Sequence, residues 1–92
     1  MCSLDEERIA SCQITYFPVQ STHYLDEINK VLDLIKSYPV QYEIGMLATT
    51  IKGESDTIFK LIQEIFNVMD EEGCHFTLNM MVSNICGCKS LE

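Results

Sequence analysis

The residue types that could do chemistry in this chain are five cysteines, two histidines and a series of small polar side chains set two residues apart. Cys86-Gly87-Cys88 has a single intervening residue. Zinc knuckles use two to four, and no second Cys or His pair repeats the spacing, so no metal ligands are assigned. An odd number of cysteines fits reduced thiols better than a closed disulfide framework. Cys2, Cys86 and Cys88 lie near the ends, and Cys12 and Cys74 fall at expected strand starts. His23 and His75 have no Cys or Ser at a catalytic spacing, which makes them surface or strand histidines rather than general bases. Asp56 reads as helix-start charge. Dinucleotide fingerprint, phosphate loop and nucleophile elbow are all missing. No catalytic residue is assigned, and nothing demands an enzyme.

The alternating polar series is more informative. Gln13, Thr15 and Phe17 share one side of an expected strand, opposite Cys12, Ile14 and Tyr16. Near the end, His75, Thr77, Asn79, Met81 and Ser83 alternate with Phe76, Leu78, Met80 and Val82. Gln41 and Glu43 do the same, followed, according to register, by Ala48 and Thr50 or neighbours such as Thr49. Thr and Gln are good strand formers that tolerate water without any ligand. On one face, however, amides, hydroxyls, an aromatic ring and a thioether together suit a surface that docks another sheet or holds a small polar ring.

The elements that must position these residues follow from periodicity. Residues 11–19 alternate as a strand that ends at Pro18, and Ser21 or Thr22 can cap the helix that follows. Leu25, Ile28, Leu32 and Ile35 repeat at helical spacing, with Val31 widening the stripe, until Tyr38-Pro39 stops it. Residues 40–44 form a second strand with Val40, Tyr42 and Ile44 on one face. Gly45-Met46 is expected to be a two-residue type II′ turn into a third strand over 47–52. Ser55 or Asp56 caps a second helix whose stripe is Ile58, Leu61, Ile62, Ile65, Val68 and Met69, ended by Gly73. Asp70, Glu71 and Glu72 oppose the macrodipole there. Residues 74–85 form a long last strand. The order β-α-β-β-α-β predicts an α+β, ferredoxin-like split βαβ fold. It has a four-stranded antiparallel sheet in spatial order 4-1-3-2 with both helices on one face.

Totals bound the rest. The 92 residues allow one core, expected over 9–88. A loose arm over 1–8 precedes it and a tail over 89–92 follows, with Leu91-Glu92 set aside as a possible vector scar. With six Lys and Arg and a net charge of −8, nucleic acid and anionic membrane surfaces are poor partners. The acidic start has no apolar stretch of the kind a secretory signal needs, and a cytoplasmic location is expected.

The strings 8–19, 48–59 and 75–87 resemble the YkoF-like thiamine (hydroxymethylpyrimidine)-binding family. The specific pieces are Arg8-Ile9-Ala10 leading to Tyr16-Phe17-Pro18, then Thr49 to Gly53, Asp56 with Ile58-Phe59, and Asn79 through Ser83 to Cys86. The resemblance covers nearly the whole domain and implies a β-α-β-β-α-β fold that binds the pyrimidine part of thiamine without turnover. Some relatives carry two such repeats; this chain has one, which implies a homodimer or dimer of dimers through the helix-free face. Gln13 stands where relatives often carry a charge, and Cys86-Gly87-Cys88 replaces a Cys-Pro-Gly ending. With the face described above, the expected ligand set is Gln13, Thr15, Phe17, Glu43, Thr49, Thr50, Asn79, Met81 and Ser83. The ligand is thiamine or hydroxymethylpyrimidine, and no separate cofactor is expected. A functional link to a vitamin transporter is compatible with such a role. The alternative is a regulatory or scaffolding domain whose sheet mediates oligomerisation without a ligand.

Overall fold

A computed structural model describes residues 8–84. Cys2, Ile85, Cys86, Cys88, most of the expected arm and the expected tail lie outside the described residues. The elements are β1 (Ile9–Pro18), α1 (Tyr24–Lys36), β2 (Gln41–Ile44), β3 (Thr49–Glu54), α2 (Ser55–Glu71) and β4 (Phe76–Ser83). All strand pairs are antiparallel and the sheet order is β2-β3-β1-β4. This is the expected ferredoxin-like arrangement.

Register decides which side chains meet the helices. Cys12 stands between Ile51 and Val82, and Ile14 between Thr49 and Met80. Residues directly opposite one another across a ladder share a face. Ala10, Cys12, Ile14 and Ile51 therefore point to the side where Val31 and Ile35 of α1 and Ile58, Leu61, Ile62, Ile65 and Met69 of α2 are buried. Each fully buried Ile or Leu contributes about 1.5–3 kcal/mol of transfer free energy, and that burial holds the two layers together. Tyr16 and Phe76 extend the core toward the β4 edge, with half-exposed Phe66 at its rim. The Tyr16 and Phe76 rings stack with centroids 5.1 Å apart, and Phe66 meets Phe76 edge-on at 5.3 Å.

Local details correct several expectations. β1 begins at Ile9 rather than at 11, and β4 occupies only Phe76–Ser83. Helix α1 starts at Tyr24 with His23 in the capping position and no side-chain cap. The Ser21 hydroxyl instead accepts the His23 N–H at 3.0 Å, so it shapes the approach to the helix. Helix α2 starts at Ser55, one residue earlier than a Ser55 cap allows and two earlier than an Asp56 cap, with Glu54 at the capping position. The β2–β3 connection is not a two-residue II′ turn. Ile44 pairs with Thr49, which leaves 45–48 as a four-residue connection closed by Gly45 N–H to Ala48 O at 3.0 Å. A Cβ on Gly45 would come within 2.9 Å of that carbonyl, so this glycine serves close approach rather than positive φ. Gly73 does take φ +81° at the end of α2, as a helix-terminating glycine should. The acidic end of α2 is tied to α1 by an ion pair from Lys30 to Glu72, which raises the Lys30 pKa. Both side chains are more than two-fifths exposed, so the pair adds little stability.

Candidate ligand-binding site

The helix-free face is built from the odd-numbered residues of β1 and β4 and their neighbours in β2 and β3. Pairing sets out one continuous row: Glu43, Thr50, Gln13 and Met81. A second row runs Gln41, Lys52, Ser11 and Ser83. Beyond the end of β3, Thr15 faces Asn79 and Phe17 faces Thr77. Gln13, Glu43, Thr50, Asn79 and Met81 are exposed there, with Met81 at 65% and Phe17 at 47%. Thr15 and Ser83 are half-buried. The face thus brings together eight of the nine residues singled out from the sequence. Thr49, the ninth, faces the helices opposite Ile14 and is only 9% exposed. The parity of the strand dictates this: Thr50 and Thr49 must point to opposite sides.

The face carries amide, hydroxyl, carboxylate, thioether and phenyl groups within two adjacent rows and the two pairs beyond them. In chemical terms it offers donors and acceptors for a planar heterocycle and apolar area to cover its faces. A flat sheet surface alone encloses nothing, so burial of such a ring needs a second surface above it.

The structure also forms a recess that periodicity did not announce. β1 outruns β3 by four residues: its pairing with β3 ends at Ile14, while its pairing with β4 continues to Pro18. The gap, on the helix side, is roofed by α1 and by the β2–β3 connection. It has a volume of about 260 Å³ and is lined mainly by apolar groups, among them Ile28, Val31, Leu32 and Ile44, with Thr49 in its wall. Thr15 and Phe17 reach its edge, so three of the sequence-selected residues border it. The Thr15 hydroxyl donates to Leu47 O at 3.4 Å, a long contact that fastens the connection to β1. One signal was present in the sequence: Met46-Leu47 puts two large apolar residues in a turn, where polar residues are the rule. The α1 residues lining the recess looked like ordinary core stripe.

A larger polar recess, about 380 Å³, lies between the start of α1 and the end of α2, with Ser21, His23, Glu27, Lys30, Glu72 and His75 in its walls. Glu27, Lys30 and Glu72 in its walls are partnered within the protein. The Tyr16 hydroxyl donates to Glu27 at 2.7 Å and Lys30 pairs with Glu72. Hydrogen bonds from Ser21 and Tyr16 hold the Glu27 carboxyl below the usual range. Desolvation, then the Glu27 contact, pushes the Tyr16 phenol up. At Cys74 desolvation, followed by the nearby carboxylates, raises the thiol pKa, and burial does the same for Cys12, so neither favours a reactive thiolate. Among the described residues no group of three or more His, Cys, Asp or Glu side chains is arranged to hold a metal ion.

Comparison with known proteins gives the remaining information. The profile of the YKOF-related family matches residues 9–89. A UPF0045 protein of Clostridium perfringens is 27% identical over 55 residues, which is 60% of this chain and 58% of that protein, so the match spans less than two thirds of the relative. A Thermotoga maritima protein, for which a role in thiamine biosynthesis or salvage has been suggested, superposes with a TM-score of 0.73. It is 23% identical, with 82% of each chain covered. A Streptococcus pneumoniae protein superposes with a TM-score of 0.76 at 20% identity, covering 90% of this chain and 92% of its own. At these identities the superpositions establish a shared fold.

Proposed function

The chain belongs to the YKOF-related family, and from that premise we propose that it is a non-catalytic binding protein for thiamine or its hydroxymethylpyrimidine part. The observation that carries the reading is the helix-free face, where Gln13, Thr15, Thr50 and Asn79 lie beside Phe17 and Met81. An aminopyrimidine is flat and neutral, with a donor and acceptors along one edge. Asn and Gln amides match both, and a phenyl ring or thioether covers the ring face. Glu43, at the end of the central row, favours the cationic thiazolium of intact thiamine, as does the net charge of −8. The suggested salvage role of the Thermotoga maritima protein supports the same direction.

In this reading the second surface is the same face of another copy, forming a homodimer or a dimer of dimers. Two stacked sheets about 10 Å apart leave a dry slot of ring thickness where small side chains face each other. The role is cytoplasmic buffering, salvage or delivery of the vitamin, with a vitamin transporter as a functional neighbour. Nucleic acid and membrane lipid are not partners. Among the described residues no helix is long and apolar enough to cross a membrane.

The exposed Met81 and Phe17 also favour a second reading, in which the face serves assembly alone. A thermal-shift series with thiamine, its phosphates and hydroxymethylpyrimidine separates the two. A ligand bound only by the folded state raises the melting temperature with concentration. A flat response to every compound leaves the assembly reading.

A further inference from the structure

We propose that the outer edge of β4 is a second self-association surface, where β4 of another copy pairs antiparallel across a two-fold axis and joins the two sheets into one. The final assembly rests on the paired-face reading, because the joined sheets then close on each other through their helix-free faces.

Three observations carry the edge contact. The first is the ladder. Among the described residues β4 is an edge strand that pairs with β1 alone. Val19 N–H donates to His75 O at 2.9 Å, and alternation from that bond turns the N–H and C=O of Thr77, Asn79 and Met81 toward β1. Those of Phe76, Leu78, Met80 and Val82 therefore point outward. The second is composition. Sheet edges are normally blunted by charge, proline or shortness. β2, the other edge, is four residues long and carries Glu43. β4 runs for eight residues with neither a charge nor a proline. The third is the flank above it. Phe66 meets Phe76 of β4, and Phe59 lies about two helical turns before it on the same side of α2. Phe59 is 49% exposed, Phe66 50% and Met80 42%.

The edge is complementary to itself, which selects a second copy as the occupant. With Asn79 opposite the partner's Asn79, Phe76 meets the partner's Val82 and Leu78 meets the partner's Met80. Every outward N–H of these residues then finds a carbonyl, and no like charges face each other. The same axis brings Phe59 of one copy toward the partner's Phe66. Pairing of β4 with β2 of the next copy would instead grow an open fibre, and the shortness and Glu43 of β2 oppose it. Across the two-fold the helix-free rows continue, with the partner's Thr77 opposite Met81 and the two Asn79 side chains together. Each candidate ligand face is thus extended by residues of the next copy. The half-exposed Phe59, Phe66 and Met80 offer roughly 300 Å² per copy, against about 800 Å² in a standard interface. The edge contact is therefore weak alone and holds when the faces are paired as well, giving a dimer of dimers.

Light scattering of the full chain at ~100 μM should give four times the 10.5 kDa chain mass. Met80→Pro removes an outward N–H that the β1 ladder does not use, and should give twice the chain mass. Phe59→Glu acts from α2 and leaves every strand untouched; it should do the same, because it puts a carboxylate against the partner's ring. Lys60→Glu, on the exposed outer side of α2, should keep the parent mass. A parent mass that neither Met80→Pro nor Phe59→Glu changes overturns the proposal and leaves the paired face standing. Cover of the edge by another segment of the same chain gives that result too. A dimeric parent that both variants turn into a monomer, while Met81→Glu stays dimeric, keeps the edge contact and removes the paired face. A monomeric parent overturns both.

Discussion

Thr15 and Asn79 stand directly opposite each other on neighbouring antiparallel strands, both on the face that no helix covers. Leu78 and Met80, the neighbours of Asn79 in β4, point to the other side with Tyr16 and Ile14. Asn79 is therefore free of packing duties, and its replacement tests chemistry rather than stability.

The Tyr16–Glu27 hydrogen bond links the sheet to α1 and gives stability a pH dependence. Glu27 has a folded-state pKa below its ordinary value. Its contribution is therefore fully present above the ordinary carboxylate pKa and is lost as pH falls through the lowered value. Tyr16→Phe should cost about 1 kcal/mol near neutral pH and progressively less as the solution becomes acidic. Urea unfolding of both proteins across that range measures the difference. A penalty that stays constant with pH would contradict its dependence on the Glu27 charge.

The helix-free face should close by self-association. Exposed Met81 lies in the same row as Gln13 and Thr50, and placing a carboxylate there should oppose burial of the row. Light scattering at ~100 μM should give a multiple of the 10.5 kDa chain mass for the parent and a monomer for Met81→Glu. A monomeric parent would remove the paired-sheet account.

Gly73 ends α2 at φ +81°, and a Cβ there would touch nothing within 4 Å. The cost of Gly73→Ala is thus conformational alone. It should lower unfolding free energy by about 1–2 kcal/mol without affecting ligand binding. Denaturant melts provide the value, and an unchanged midpoint would contradict the helix-end assignment.

The fold was legible because alternation in β1 and β4 and the stripes of α1 and α2 point the same residues to the same core. Cys12, Ile14, Ile58, Leu61 and Ile65 are all buried as their spacing requires. The face of each open-side residue was legible for the same reason, since parity along a strand fixes it. Two things were not. The length of the β2–β3 connection depends on where pairing stops, and Ile44 opposite Thr49 was not encoded in the Gly45-Met46 pair. The end recess depends on β1 outrunning β3, a tertiary mismatch that no local pattern of Ile28, Val31 or Leu32 expresses.

Calorimetric titration of hydroxymethylpyrimidine into the parent, Asn79→Ala and Asp26→Ala tests the binding account most directly. Asp26 is exposed in the first turn of α1, away from the open face. Removing the Asn79 amide leaves ligand donors and acceptors unpaired in a desolvated slot, a loss of roughly 1–3 kcal/mol, or about 5- to 150-fold in affinity. The account predicts saturable binding by the parent and Asp26→Ala, with a loss of that size in Asn79→Ala at unchanged thermal stability. No heat of binding to the parent, or equal affinity in Asn79→Ala, would contradict it.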